Sequence, residues 1–362
     1  MCAKKCRILV DARVIKANST GVGVFVLEVV RALENVDKFE LVYLTECPDY
    51  LRSVLGKNVD FYDAPGMERH PGSEIWLNTK VKSIVKRERI DVYWGPAFLI
   101  PWVDIGCPKI VTIHDLTIIT YPEEYSRAFV ALMSWYIRLS TRSSTAITVP
   151  SNSVRASIKS LFPLVYDKCR VVSCGVSGDF ANTNSGETLP FALPERYLFA
   201  LGDGFPRKNI ELVRQAFDLI RENTDLSLVT IDNKVDKMIV NDRVVKLPHL
   251  KHQQLAQIYK SARMLVFPST EEGFGIPVIE ALACRCPVLL SDIDVLREVS
   301  GNIAQYFDPK NEKELAEKIV ELDCDENMRQ TMIEKGLSIV KQFSWENSAI
   351  QLGNVIEELL ND

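Results

Sequence analysis

The sequence predicts an α/β protein made of two doubly wound parallel-sheet halves, and three observations carry that expectation. Short apolar runs alternate with amphipathic stretches of helical length, the pattern of a parallel sheet covered by helices on both faces. The 362 residues, at roughly 150 per domain, match two domains. A polar stretch at 177–190, SGDFANTNSGETLP, interrupts the alternation, which then restarts. The expected organisation is a first domain over 1–176, a linker over 177–190 and a second domain over 191–343, with a last helix over 344–362. Open parallel sheets bind ligands beyond the C-terminal ends of their strands, so both halves are expected to face a shared cleft.

Each element follows from its local pattern. RILVDA (7–12) reads as a buried strand, and VFVLEVVRALE (24–34), after Gly21 and Gly23, as a helix. ELVYLTE (40–46), DVYWGP (91–96), PKIVTIHD (108–115), TAITVPS (145–151) and CRVVSCGV (169–176) read as further strands. Helices are expected near 76–89 and over 152–162. Beyond the linker the expected strands are YLFALGD (197–203), LSLVTID (226–232), RVVKLPHL (243–250), MLVFPST (264–270), PVLLSD (287–292) and AQYFDP (304–309). Helices over 210–222, 254–262 and 277–283 lie between them. In the tail, FSWENSAIQLGNVIEELL (343–360) reads as one amphipathic helix. Ser344 suits its cap, and Trp345, Ile350, Ile356 and Leu360 its apolar side.

Composition narrows the function classes. The net charge of −5 argues against a nucleic-acid binder. No apolar stretch approaches the roughly 18 residues of a membrane span, and no secretory signal is expected at the start. The nine cysteines are scattered, form no C-x-x-C pair and stand apart from the four histidines. Free thiols and no zinc site are therefore expected, in a reducing cytoplasm. Residues 1–175 carry a net charge of +5 and the remainder −10. The first half is thus a candidate to face something anionic. Segment 76–89, with Trp76, Lys80, Lys82, Lys86, Arg87 and Arg89, is either a helix with one charged, solvated face or a contact to the inner membrane surface.

The segment richest in chemistry is FPSTEEGFGIPVIEALACRCPVLLSD (267–292). A strand ends at Pro268, a loop follows with Gly273 and Gly275, and Pro277 suits the first helical position, where its missing N–H costs nothing. The N–H groups of such a loop and helix start suit a phosphate or sugar hydroxyls. Glu272 and Glu280 bracket the loop and are candidates to line one pocket; the plain alternative is a capping acid and a surface acid. In LFALGDGFPRKNIEL (198–212), Arg207 and Lys208 follow a strand and a glycine turn, with Asn209 placed to cap the next helix. A fork-shaped and a point cation together suit a diphosphate, the alternative being a solvated pair. His114 and Asp115 end a first-half strand; the histidine could bond a sugar hydroxyl, move a proton, or brace its own loop. Gly21 and Gly23 permit close backbone approach before a helix, although G-V-G alone is no dinucleotide fingerprint.

Together these segments resemble the retaining glycosyltransferases of family 4, which have the GT-B fold of two Rossmann-like domains. The resemblance spans nearly the whole chain. It runs through the Gly21–Gly23 loop, TIHDLTIITYPEEY (112–125), VPSNSVRASI (149–158), VVSCGV (171–176), PRKN (206–209), ARMLVFPSTEEGFGIPVIEALACRCPVLLSD (262–292) and FSWE (343–346). It implies an acceptor-binding first domain and a donor-binding second domain, with the closing helix crossing back to the first. It implies that Glu272 sits by the donor sugar and reaction centre and that Glu280 holds the ribose. Gly273, Phe274, Gly275 and Ile276 would supply loop contacts, Leu250 a contact to the base, and Gly21 and Gly23 contacts to the donor. Arg207 and Lys208 would bind the diphosphate, and His114 would lie near the donor sugar. The implied catalytic set is Glu272, His114, Lys208 and Arg207.

The implied reaction moves a hexose from a nucleotide-diphosphate sugar, UDP-glucose or GDP-mannose in class, to a saccharide or lipid-linked saccharide in polysaccharide synthesis. Fixed cations stabilise a leaving diphosphate, so no metal and no other cofactor are expected, and the protein is expected in the cytoplasm. Two departures from the family pattern stand out: Asp203 where an Arg is common, and Arg285 where Gly is usual, at a helix end that favours positive φ. The alternatives are a non-catalytic nucleotide-sugar binder and a glycoside hydrolase using Glu272 and Glu280.

Overall fold

A computed structural model describes residues 5–17, 21–56, 59–68, 71–181, 189–202, 204–232 and 235–361. Asp203 and the middle of the expected linker, 182–188, lie outside the described residues. The chain divides into two compact units, Met1–Gly175 with Trp345–Asp362, and Val176–Ser344.

The first unit is a seven-stranded parallel sheet. Its strands are β1 (Cys6–Asp11), β2 (Phe39–Thr45), β3 (Asp60–Asp63), β4 (Val92–Gly95), β5 (Lys109–Thr112), β6 (Ala146–Val149) and β7 (Cys169–Val171). They lie in the order β3-β2-β1-β4-β5-β6-β7. Strands β4, β5 and β6 are buried at every residue, which is why they read as unbroken apolar runs and not as alternation. Helix Gly21–Leu33 begins three residues earlier than expected, so Gly21 and Gly23 form its first turn instead of a loop before it. Helix Gly72–Glu88 buries Leu77, Val81, Ile84 and Val85.

The last helix, Trp345–Asn361, packs in this unit. Ser348 Oγ donates to the Ser173 carbonyl at 2.6 Å, and Lys38 pairs with Glu357 at 2.7 Å. Its buried stripe is Trp345, Ala349, Leu352 and Ile356. Ile350 and Leu360, expected on that stripe, are exposed. Ile350 stands five residues from Trp345, about 140° round the helix, whereas Ala349 and Leu352 stay within a 3.6-residue repeat.

The second unit repeats the plan with β8 (Tyr197–Ala200), β9 (Ser227–Ile231), β10 (Ile239–Asn241), β11 (Val244–Leu247), β12 (Met264–Phe267), β13 (Val288–Ser291) and β14 (Gln305–Phe307). The order is β10-β11-β9-β8-β12-β13-β14, parallel except for the antiparallel edge strand β10. The unit starts earlier than the expected boundary. Residues 178–181 form a short helix, and Phe180 is wholly buried beside Tyr259 (6.1 Å) instead of lying in a linker.

Arg285 ends helix Ile276–Ala283 in the left-handed region, φ 62°. Its N–H donates to the Leu282 carbonyl at 3.1 Å, and the Cys286 N–H donates to the Ala281 carbonyl at 2.9 Å. That is the paired bonding of a Schellman ending, formed without the usual glycine.

Candidate active site

In a doubly wound sheet the ligand crevice opens where successive strands depart in opposite directions. In the second unit that point lies between β8 and β12, which are adjacent, with Ala200 opposite Val266. The loops leaving these two strands therefore meet, although their residues are some sixty positions apart in sequence.

From β8 the chain passes Gly202, where a Cβ would lie 2.2 Å from the Ile210 side chain, so only glycine fits. A 3₁₀ turn over Pro206–Lys208 follows, and Asn209 takes φ 54° before helix Ile210–Ile220. Asn209 is not the side-chain cap expected of it; its amide donates instead to the Pro309 carbonyl at 2.8 Å. From β12 the chain reaches Thr270, whose N–H donates to the Arg207 carbonyl at 2.8 Å. This bond fastens the two loops together. Lys208 Nζ then meets Glu272 Oε1 at 2.7 Å, the side chains only 17% and 12% exposed. The Arg207 guanidinium stacks over the exposed Phe205 ring at 4.8 Å.

Gly275, at φ 97°, caps helix Ile276–Ala283, and Pro277 takes the second helical position, not the first. A Cβ on Gly275 would come 2.9 Å from the tip of the Leu296 side chain, and the positive φ is what demands glycine. The Phe274 ring is buried edge-on to Phe343, centroids 5.5 Å apart. Leu250, in the turn after β11, is buried as well. At both positions the side chain is spent on the interior.

Glu280 is set apart from Glu272 by its partner. The hydroxyl of Tyr259, on helix His252–Ser261, donates to Glu280 Oε2 at 3.2 Å. Burial pushes the Glu280 carboxyl up to about 7, the tyrosine bond opposing the rise. Burial, then the neighbouring carboxylate, drives the Tyr259 hydroxyl well above its ordinary range.

In the first unit His114 follows β5. Its Nε2 bonds the Pro96 carbonyl at 2.7 Å, and its ring lies edge-on to Phe25 (4.9 Å) and Phe98 (5.6 Å). Burial lowers its pKa, so the ring is neutral at pH 7. With Nε2–H given to Pro96, Nδ1 is the acceptor, and the ring suits accepting a hydroxyl better than donating a proton. His114 and Glu272 belong to different units.

Sequence reasoning overlooked three positions here: Thr270, Tyr259 and Arg13. Arg13 is wholly buried after β1. It pairs with both oxygens of Asp11 at 2.7 Å, donates to Ser73 Oγ at 2.7 Å and to the Pro65 carbonyl at 3.1 Å, tying the loops after β1 and β3. An Asp two residues before an Arg at a strand end was the available signal. Among the described residues no cluster of three His, Cys, Asp or Glu side chains is placed to hold a metal ion, and no helix is long and apolar enough to cross a membrane.

Comparison with known proteins agrees with this geometry. The family described as "Glycosyltransferase Family 4" matches residues 19–180, and "Glycosyl transferases group 1" matches 184–338. An O-antigen chain mannosyltransferase B of Escherichia coli is 26% identical, over 98% of this chain and the whole of that one. Sucrose-phosphate synthase from Thermosynechococcus elongatus superimposes with a TM-score of 0.74 at 17% identity, over 99% of this chain and all of that one. Anabaena HepE, solved with UDP and glucose, gives 0.71 at 15% identity, over 98% of this chain and all of that one. The fold and these matches define a glycosyltransferase of the GT-B kind. Within that class the chain carries the domains of glycosyltransferase family 4 and of the glycosyl transferases of group 1.

Proposed function

We propose that the protein transfers mannose from a nucleotide-diphosphate mannose, GDP-mannose in class, to a saccharide acceptor carried on a lipid, with retention of configuration and without a metal. The observation that carries this reading is the Lys208–Glu272 pair at the strand switch point, beside a helix start opened by Gly275. The mannosyl donor is favoured over UDP-glucose by likeness to the O-antigen mannosyltransferase, as is a place in cytoplasmic polysaccharide assembly.

Arg207 and Lys208 receive the diphosphate, while the N–H groups around Gly273, Phe274, Gly275 and Ile276 add neutral donors that need no reorganisation. Glu280 accepts from the ribose hydroxyls. The backbone at Leu250 reads the base, and the first turn at Gly21 and Gly23 gives the donor a close backbone approach. Glu272 orients Lys208 and meets the sugar, and His114 Nδ1 accepts from a sugar hydroxyl. The bond between the sugar's anomeric carbon and the diphosphate oxygen breaks. The acceptor oxygen bonds the same face of that carbon, and its proton passes to the departing phosphate oxygen. Atoms balance without a further base.

Thermal unfolding against UDP, GDP, ADP and their sugar conjugates, with and without EDTA, tests the reading. A shift with GDP and GDP-mannose, unchanged by EDTA, is expected. Lys208→Ala should then lower mannosyl transfer at least about a hundredfold, the scale for losing one fixed stabiliser of developing charge. No shift with any nucleotide, or a shift abolished by EDTA, refutes it.

A further inference from the structure

The outer strands of the second sheet carry a trough that the transfer reaction does not use. Adjacent parallel strands usually take a covering helix from their crossover. The connection from β9 to β11, residues 232–243, carries the edge strand β10 instead, and no helix among its described residues. One face of β11 is closed, with Val245 and Leu247 buried; Val244 and Lys246, on the other face, are only half-buried. The register sets Thr230 beside Lys246 and Leu228 beside Val244, and these four make a floor. Ile239 and Asn241 of β10, paired with Lys246 and Val244, extend it outward. The wall is helix Ile210–Ile220 and its cap, which present Glu211, Arg214, Asp218 and Arg221 at three- and four-residue steps along one side. A cavity of about 570 Å³ and another of about 490 Å³ share Arg214, Val244 and Lys246, so they form one trough. The step from Glu211 to Arg221 makes it about 15 Å long. It starts at Gly204 and Pro206, in the turn that leads into Arg207 and Lys208, yet Lys208, Glu272 and Glu280 are not among the described residues lining it.

The lining selects the occupant. The three cations among the described lining residues are each held by an acid: Arg214 by Glu211 at 3.6 Å, Lys246 by Asp232 at 3.2 Å and Arg221 by Asp242 at 2.8 Å. A phosphate or a polyanion would have to break these pairs and meet their carboxylates. A neutral hydroxyl can instead donate to the carboxylate and accept from the cation of one pair. Thr230 points the same way. It lines the larger cavity, it is only 6% exposed, and its hydroxyl meets no partner among the described residues. A hydroxyl so enclosed is costly until a ligand or water completes it. A packed helix from a partner would strip water from Thr230 and the ion pairs without replacing it. Between the polar groups stand Val244, Ile239 and Phe205, aliphatic and flat surface that suits the C–H faces of sugar rings.

We propose that this trough binds a neutral oligosaccharide, its ring faces on Val244 and Ile239 and its hydroxyls bridging the Arg214–Glu211 and Lys246–Asp232 pairs and completing Thr230. A trough of this length takes more than one sugar ring. The proposal goes beyond the transfer reading: the second unit grips sugar already in the chain, beside the turn that receives the next donor. Binding in the trough stands whichever donor is used.

Calorimetric titration of the full chain with α-mannohexaose and with maltohexaose tests it, against mannose and a heparin hexasaccharide. At least one hexaose is expected to bind about tenfold or more tightly than mannose, with little change at high salt. Thr230→Val should weaken that binding about fivefold, the scale of one hydrogen bond, and Arg214→Met with Lys246→Met at least about tenfold. Leu164→Ser, at an exposed position of the first unit, should change nothing. A retained cooperative unfolding transition shows that each variant is folded. No binding of either hexaose, mannose bound as tightly, the heparin fragment bound more tightly, or binding that the trough variants leave intact overturns the proposal. So does a dimer that Arg214→Met with Lys246→Met splits in size-exclusion chromatography, which would make the trough an interface between copies. Hexaose binding lost in the trough variants, in a protein that answers to no nucleotide, would uphold the trough and overturn the transfer reading alone.

Discussion

Replacing Glu280 by Gln should strengthen the unliganded protein while weakening its hold on nucleotide. The carboxyl is pushed from 4.5 to about 7, and burial is the leading cause. Above that value the folded chain holds a carboxylate that the fold disfavours. At about 1.36 kcal/mol per tenfold change in proton affinity, that rise sets a ceiling of about 3 kcal/mol, and residual solvent contact brings the expected gain to about 1–2 kcal/mol. The sign follows from proton counting. Between about pH 4.5 and 7 the folded state holds a proton that the unfolded state has lost, so this group's contribution falls as pH rises through that window. Below it both states are protonated and nothing is lost. Glutamine is isosteric, still accepts from Tyr259 and does not titrate. Chemical denaturation of parent and Glu280→Gln at about pH 5 and about pH 8 should therefore show a gap that opens on the alkaline side. Titration with GDP should show the opposite ranking, because a neutral amide accepts the ribose hydroxyls less strongly than a carboxylate. Parallel stability–pH curves for the two proteins would refute the burial argument. Unchanged GDP affinity would remove Glu280 from the nucleotide site.

Tyr259→Phe should act the other way on the same carboxyl. Losing the hydroxyl donor raises Glu280 further, so GDP affinity should fall several-fold near pH 7 and recover by about pH 9, read by calorimetry at both values. Arg285→Gly should stabilise the chain by about 1 kcal/mol, raising its melting temperature by a few degrees, since the ending already forms and only the left-handed cost of a side chain is removed. Arg13→Met should destabilise the first unit by about 3–5 kcal/mol, because Asp11 is left buried beside no cation; the GDP-induced shift, which reads the second unit, should survive.

The parts of the fold legible in the sequence were those whose pattern is set by burial. Central strands such as β5 and β12 are enclosed on both faces, so their apolar runs stand out. The edge strands β3 and β10 escaped, because DFYD and IVN carry no buried residue and show neither an apolar run nor alternation. Helix Arg127–Ser143 escaped for a related reason: its first half is apolar but faces no core, so the three-and-four spacing of a packed helix is missing there. At the C-terminal helix the element was legible and its face was not. The helix carries more apolar residues than one stripe holds, and only the register of the buried set separates Ala349 from Ile350.

The candidate site divides along the same line. Arg207, Lys208, Glu272 and the glycine loop stood out as unusual chemistry at strand ends, since charge and glycine there need no partner to be noticed. What joins them is a matter of topology. Lys208 reaches Glu272 only because β8 and β12 are neighbours, and Thr270 fastens the two loops through a backbone carbonyl that no side-chain pattern reports. Tyr259 is hidden for another reason: on an amphipathic helix it reads as core, and its hydroxyl acquires a role only once Glu280 is folded against it. His114 runs the opposite way. As a residue type it invites a proton-transfer role, but burial against two phenylalanine rings keeps it neutral, and the Pro96 carbonyl takes up its Nε2. Sequence thus exposes the groups that carry charge to a ligand. The groups that fix their ionisation and aim come from non-local packing, so the substitutions that separate those two classes, Lys208→Ala and Tyr259→Phe, should differ in kind. The first should remove turnover at every pH, and the second should only move the pH at which nucleotide binds.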